Sequence, residues 1–359
     1  MRPLHERCII LLAVLAAAAP VAAKVSGPCV DCHTMHNSQG GGPMAFVMQG
    51  GGKVLVVDPN AALLTTDCVG CHQGINDGTT TPFVFSTTAP TYGTTGTEGG
   101  TNTLAGGNFY WVSSGNERAG HNVSGITAVD SRHATIPPGG VDLGAQITCA
   151  GTYGCHGVSG EADQTKAMYG AHHWKNHAVW QDGLTLASSY RFLDGIKGFE
   201  DPDYEYQPTS TSHNKYYGID RTLETDTADG TISSLCARCH GDFHNGSGNL
   251  ASGSFGSGVW IRHPVDFDMS RAVSSGEYLS YNKQQGTGNP YSVIAPLATA
   301  DTTTAVQSSV FVQADDAVVM CLSCHRAHGT PFAAILRWDY RSWPGGGYNG
   351  CSICHTTKD

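Results

Sequence analysis

The chain has 359 residues, with 30 acidic side chains against 20 basic ones for a formal charge of −10, and only 14% of its residues are charged. An acidic chain without a basic cluster excludes nucleic acid as a partner. Its 46 glycines also argue against an organisation built on long helices, so something other than regular secondary structure must order the chain.

The chain opens MRPLHERCIILLAVLAAAAPVAAK. Arg2 and Arg7 precede an apolar run from Cys8 to Val21, and Val21-Ala22-Ala23 is a small-residue cleavage site. This pattern predicts a secretory signal peptide over 1–23 and a single domain over 24–359. The apolar run is too short for a membrane span, and no later segment is apolar enough to make one.

The remaining twelve cysteines fall into six pairs, each followed at once by a histidine. The first is Cys29-Val-Asp-Cys32-His33. The second is Cys68-Val-Gly-Cys71-His72, followed by a low-complexity stretch over 75–107 that reads as a surface loop. The third, Cys149-AGTYG-Cys155-His156, has five residues between its thiols; folding back on its two glycines would still present both sulfurs and His156 together. LTLASSYRFL (184–193) reads as a regular segment, and 209–234 is turn-rich. The fourth pair is Cys236/Cys239 with His240, the fifth Cys321/Cys324 with His325, and the sixth Cys351/Cys354 with His355.

C-x-x-C-H is the attachment motif of a c-type haem: two thiols add across the porphyrin vinyl groups and the adjacent imidazole binds the iron. Structural disulfides suit an exported chain but do not call for a histidine after every pair, and zinc ribbons do not require one either. The reading is six covalently bound haems c, with the third motif as the irregular one. The porphyrins then provide much of the apolar core, and the six tryptophans are expected to pack against their faces.

Ten further histidines are available for the opposite faces of six irons, which favours six-coordinate, bis-histidine haems without an open site for substrate. His36, His244 and His328 each follow a proximal histidine by three or four residues. Residues at that spacing share one face of a helical turn, whereas axial ligands approach from opposite faces of a wide ring. Each must therefore reach a haem other than that of its own motif, which makes the haems close neighbours. His121 and His263 lie in glycine- and proline-marked loops, and one of His172 or His173 is expected to serve, with His177 in reserve. His133 and His213 are assigned surface roles.

CHTMHNS (32–38), GNFYWV with GHN (107–112, 120–122), YRFL (190–193), CARCHGDFHN (236–245), IRHP (261–264), CLSCHRAH (321–328) and CSICHTTKD (351–359) run in an order that resembles the outer-surface hexahaem cytochromes of metal-reducing bacteria. That resemblance implies a multihaem cytochrome fold of irregular loops, short helices and few strands wrapped around a stacked haem chain. It implies electron transfer rather than enzymatic catalysis. It further implies that His36 ligates the fifth haem of an adjacent subunit, held by Cys321, Cys324 and His325, so that copies join head to tail into a filament. His121, His172 or His173, His244, His263 and His328 would complete the other five haems within the chain. The location implied is the cell surface or the extracellular space, reached through the periplasm, with other redox proteins or extracellular acceptors as partners. The alternatives are a monomeric periplasmic electron carrier and a multihaem reductase with an open haem site.

Overall fold

In a computed structural model of the protein, the described residues are 27–78, 81–93, 95, 104–173, 179–221, 229–244, 263–271, 281, 289–311 and 313–356. The expected signal peptide, His177, Trp174 and Trp260 lie outside them. Among the described residues the longest α-helix is Ile232–Ala237, of six residues. Cys68–Cys71, Tyr110–Ser113 and Gln164–Ala167 are single turns of four. Helices this short do not persist on their own, because nucleation is unfavourable and few hydrogen bonds follow it. Side-chain caps hold several of them: Asp67 accepts from the Gly70 N–H, and Thr231 from the Ser234 N–H. LTLASSYRFL forms two 3-10 turns, Leu186–Ser188 and Tyr190–Phe192, rather than one regular element. A helix cannot run through it, because Arg191 and Phe192 have left-handed backbones with φ of 50° and 57°.

The largest sheet has five strands of two or three residues, in the spatial order Gly198–Phe199, Lys215–Tyr217, Ala298–Thr299, Val318–Val319, Phe267–Asp268. All neighbours are antiparallel except Lys215–Tyr217 beside Ala298–Thr299, which is parallel with Tyr216 opposite Ala298. Near the start of the chain, Phe46–Gln49 and Gly52–Leu55 form an antiparallel hairpin.

Apolar packing is divided among three clusters rather than one core. Trp338, Tyr281, Tyr291, Leu297 and Val310 pack together in the C-terminal part. Tyr190, Tyr216, Ile232, Val318 and Met320 pack on the five-stranded sheet. Met48, Phe85, Phe109, Val112 and Ile126 pack beneath the hairpin. The 75–107 stretch is not wholly a surface loop, since Phe85 and Leu104 within it are buried. No helix among the described residues is long and apolar enough to cross a membrane.

Between the clusters runs a cavity of 2260 Å³ lined by residues from the whole length of the described chain. A fold with elements this short and cores this separated depends on what fills that space. Chain produced without haem attachment is expected to lack a cooperative thermal transition and near-ultraviolet circular dichroism. A sharp unfolding transition of that form would show that the protein packs on its own.

Candidate haem centres

No disulfide joins any of the twelve cysteines of the six motifs. Nor do three or more His, Cys, Asp or Glu side chains converge as a protein-only metal cage among the described residues. In the five regular motifs the histidine N–H closes a turn on the carbonyl of the first cysteine. These bonds are His33 to Cys29 at 2.8 Å, His72 to Cys68 at 3.0 Å, His240 to Cys236 at 2.9 Å, His325 to Cys321 at 3.1 Å and His355 to Cys351 at 2.8 Å. One tight turn therefore brings two sulfurs and an imidazole to the same face.

The third motif reaches the same result by another route. Thr148–Ala150 and Gly154–His156 pair in parallel, with the intervening residues looped out. Gly151 is left-handed at φ 82°, and its N–H donates to the His156 carbonyl at 2.9 Å. A Cβ on Gly154 would lie 2.5 Å from the Ala150 nitrogen, so only glycine allows the strands to approach so closely. The two glycines fold the spacer back, as expected.

The thiols of successive motifs are neighbours. Burial, then Cys32 and Cys68, push the Cys71 thiol up to about 11. Cys68 and Cys149 share a hydrogen bond, which lowers the first and raises the second. Burial and Cys239 push Cys155 up to about 11. Cys236 and Cys321 share a second such bond. Burial, then Cys351 and Cys321, push Cys324 up to about 12. The six motifs therefore stand in a row in their sequence order. The first five line the 2260 Å³ cavity.

Across this row, histidine rings face one another in pairs. The ring centroids are 6.2 Å apart for His33 and His173, 6.4 Å for His72 and His172, 6.4 Å for His156 and His328, 6.2 Å for His240 and His121, and 6.0 Å for His355 and His263. Two imidazoles bound to one metal at about 2 Å, each ring centre about 1.1 Å behind its nitrogen, stand about 6.2 Å apart. The five pairs fit an iron between their rings and are too far apart for direct stacking or a hydrogen bond.

The ring orientations are set from behind. Nδ1 of His33, His72, His156, His240 and His325 meets the carbonyl of Ala62 at 3.0 Å, Pro82 at 2.8 Å, Arg191 at 2.9 Å, Pro138 at 2.7 Å and Ala334 at 2.9 Å. On the other side, His121 meets Ala327 at 2.6 Å and His263 meets Pro264 at 3.0 Å. A carbonyl only accepts, so Nδ1 carries the proton and the Nε2 lone pair is left for a metal. Burial, then His156 and His121, push His328 down to about 3, which keeps that ring neutral as a ligand must be.

A repeat that the sequence motifs do not reveal lies in these acceptors. Ala62-Leu63, Arg191-Phe192 and Ala334-Ile335 are doublets of left-handed, non-glycine backbone, with φ between 50° and 59°. In each, the first carbonyl accepts from the proximal Nδ1, and the second accepts from the N–H of the residue after that histidine. Those second bonds are Thr34 to Leu63 at 2.7 Å, Gly157 to Phe192 at 2.8 Å and Arg326 to Ile335 at 3.0 Å. Such backbone costs about 1–3 kcal/mol per residue and persists only where the surroundings hold it. The only sequence trace is a bulky apolar residue before leucine, in AALL, YRFL and AAIL.

Several expectations need correction. His172 and His173 both face a proximal histidine, rather than one of the two. His244 faces none: it is 2% exposed and its Nε2 lies 2.8 Å from the Asp266 carboxylate. His213 is buried rather than on the surface, stacked on Tyr291 at 3.9 Å with Nε2 on the Gln307 carbonyl at 2.9 Å. His133 is exposed, as expected. The described tryptophans do not line the cavity; its aromatic wall is Phe and Tyr, including Phe83, Phe109, Phe192 and Phe332. His36 is exposed, and neither it nor His325 faces a second histidine among the described residues.

Repeated thiol pairs, each with an adjoining imidazole and most with a second imidazole across a metal-sized gap, are the features of a multihaem c-type cytochrome. A model described as the doubled CXXCH motif matches residues 312–359. The chain is similar to C-type cytochrome OmcS of Geobacter sulfurreducens, at 29% identity over 366 residues, covering 87% of this chain and 78% of that protein. Among solved structures it is similar to the outer membrane cytochrome S filament of the same organism, at 17% identity and a TM-score of 0.47, covering 94% of this chain and all of that one. A second structure, of OmcS nanowires from that organism, matches at 23% identity and a TM-score of 0.46, covering 89% of this chain and 85% of that one.

Replacing Gly154 with alanine is expected to open the Thr148–Gly154 pairing and part the third thiol pair. The pyridine haemochrome count should then fall by one haem per chain, and an unchanged count would refute the close-approach argument.

Proposed function

We propose that the protein holds six haems c in series and passes electrons along them outside the cell, as one unit of a head-to-tail filament. The bound haem supplies a one-electron iron couple; the chain's own part is to anchor, orient and space it. Each C-x-x-C-H turn anchors one ring, and His156 with the folded-back thiols of the third motif does the same. Opposite them, His173 serves the first haem, His172 the second, His328 the third, His121 the fourth and His263 the sixth. His121 and His263 are aimed by the carbonyl behind each, and His328 is held neutral by burial. Six filled axial pairs leave no open position for a substrate, which separates this reading from a reductase.

The observation that carries the polymer is the fifth motif. His325 has its carbonyl support at Ala334 and its place in the row, but among the described residues no histidine ring faces it. His36 is the complementary case, an exposed histidine that faces no ring among the described residues. Its presentation is built rather than incidental. The next residue, Asn37, is 4% exposed and left-handed at φ 46°, and its side-chain amide donates to the carbonyls of Val56 and Val57 at 2.9 Å each. This clamps the turn so that His36 points outward. Around it Val30, Met35, Leu55 and Val57 are 61–86% exposed, an apolar surface of the kind a partner covers. His36 of one copy bound to the fifth haem of the next makes a heterologous contact, which propagates instead of closing on itself.

Purified protein is expected to form filaments in negative-stain microscopy. In His36→Ala these should disappear, and one haem per chain should change from low to high spin in the oxidised absorption spectrum. Filaments and spectrum both unchanged in that variant would reject the intermolecular ligand and leave a monomeric carrier.

A further inference from the structure

The charges fixed along the row change sign between the second motif and the fifth. Asp67 caps the turn Cys68–Cys71, where Oδ1 accepts from the Gly70 N–H at 2.9 Å and Oδ2 from the Met48 N–H at 3.0 Å. It also lines the cavity. After burial and the neighbouring thiols, its charge acts on both sulfurs of the second motif and on Cys149 of the third. Asp163, the cap of Gln164–Ala167, adds a second negative charge at Cys68. The surroundings of the second motif are therefore anionic.

The fifth motif is flanked by two guanidiniums instead. Arg326 follows His325 directly, is 4% exposed, and donates through Nη1 to the carbonyls of Leu104 at 2.6 Å and Ala105 at 3.0 Å. Arg337 is 1% exposed, and its N–H meets the Cys324 carbonyl at 2.9 Å. Its guanidinium donates to the carbonyls of Ile294 and Val293 at 3.0 Å each and of Leu322 at 3.5 Å, all neutral acceptors. After burial, Cys351 and Cys321, the Arg337 charge acts on Cys324. Burial and then Arg337 push Arg326 down to about 10, which leaves it charged at neutral pH. One carboxylate, Asp266, opposes them at Cys321. A buried cation held by neutral groups, as Arg337 is among the described residues, is costly to keep. Two cations held at one motif, each repelling the other, point to a use for the charge itself.

We propose that these fixed charges slope the row: Asp67 holds the second haem at a lower potential than Arg326 and Arg337 hold the fifth, so an electron runs downhill from the second motif to the fifth. This rests on the six-haem electron-transfer reading and not on polymerisation. Reduction takes one positive charge from the iron, so a neighbouring anion opposes it and a neighbouring cation favours it, most strongly where water is excluded. One electron leaves the donor iron, which is oxidised, and reaches the acceptor iron, which is reduced. No bond is made or broken and no proton moves.

The test is a spectroelectrochemical titration of the six-haem protein and its variants. Asp67→Asn removes the charge and keeps the cap, because asparagine caps as well as aspartate does; it is expected to raise one midpoint potential. Arg337→Gln is expected to lower another, whereas Arg337→Lys, which retains the charge, should restore it. Each shift should be roughly tenfold in the equilibrium between oxidised and reduced haem, about 59 mV for one electron. In the wild-type protein the component that Arg337→Gln lowers must lie above the one that Asp67→Asn raises. The reverse order overturns the proposal, as does an unshifted titration in either variant or an equal shift in Arg337→Gln and Arg337→Lys. Should Arg337→Gln lose haem, Arg326→Gln is read in its place. A single midpoint shared by all the haems of the wild-type protein overturns the proposal without any variant. The pyridine haemochrome count on the same samples separates these outcomes from failure of the six-haem reading, and none of them depends on filaments.

Discussion

Two imidazoles facing each other across about 6 Å is the constraint on which the rest of this structure depends. Neither ring can settle into that arrangement for its own sake, since the gap is too wide for a hydrogen bond and too polar to leave empty. Five proximal rings, and His121 opposite them, are held by a backbone carbonyl from another segment, and His263 by that of its neighbour Pro264. The short helices, two-residue strands and left-handed doublets make sense as supports for these rings. The three apolar clusters lie beside the cavity and do not replace what fills it.

The supports alternate along the row. The first, third and fifth proximal histidines rest on left-handed doublets, and the second and fourth on proline carbonyls. The opposing histidines alternate as well. His172 and His173 are consecutive and face the second and first motifs, while His121 and His328 are joined by a backbone bond of 3.2 Å and face the fourth and third. The architecture therefore repeats in units of two motifs, with the last unit completed by His263 and, on the proposed reading, by His36 of another copy.

What the residues disclose without the fold divides along physical lines. The lack of long helices follows from glycine content and low charge, and the folded-back third motif from its two glycines. The tryptophans mislead because their size suggests large flat partners, yet Trp338 is a core residue and the cavity wall is Phe and Tyr. His244 misleads because its spacing from His240 resembles that of His328 from His325. The difference is Asp266, which no spacing rule can place beside it. His213 is lost to the core in the same way, through a stacking partner 78 positions further along the chain.

Sequence by itself determined the local motif: which cysteines pair, which histidine stands next to each pair, and that the pattern is that of covalently bound haem c. Those groups are neighbours in the chain, and a tight turn is enough to bring them together. Tertiary structure alone decided which distant histidine faces which proximal one, that His172 and His173 each face one, and that His244 lies on Asp266. A distal ligand must come from the far side of a ring wider than any local turn, so its partner is chosen by the packing of remote segments and leaves no local pattern to read.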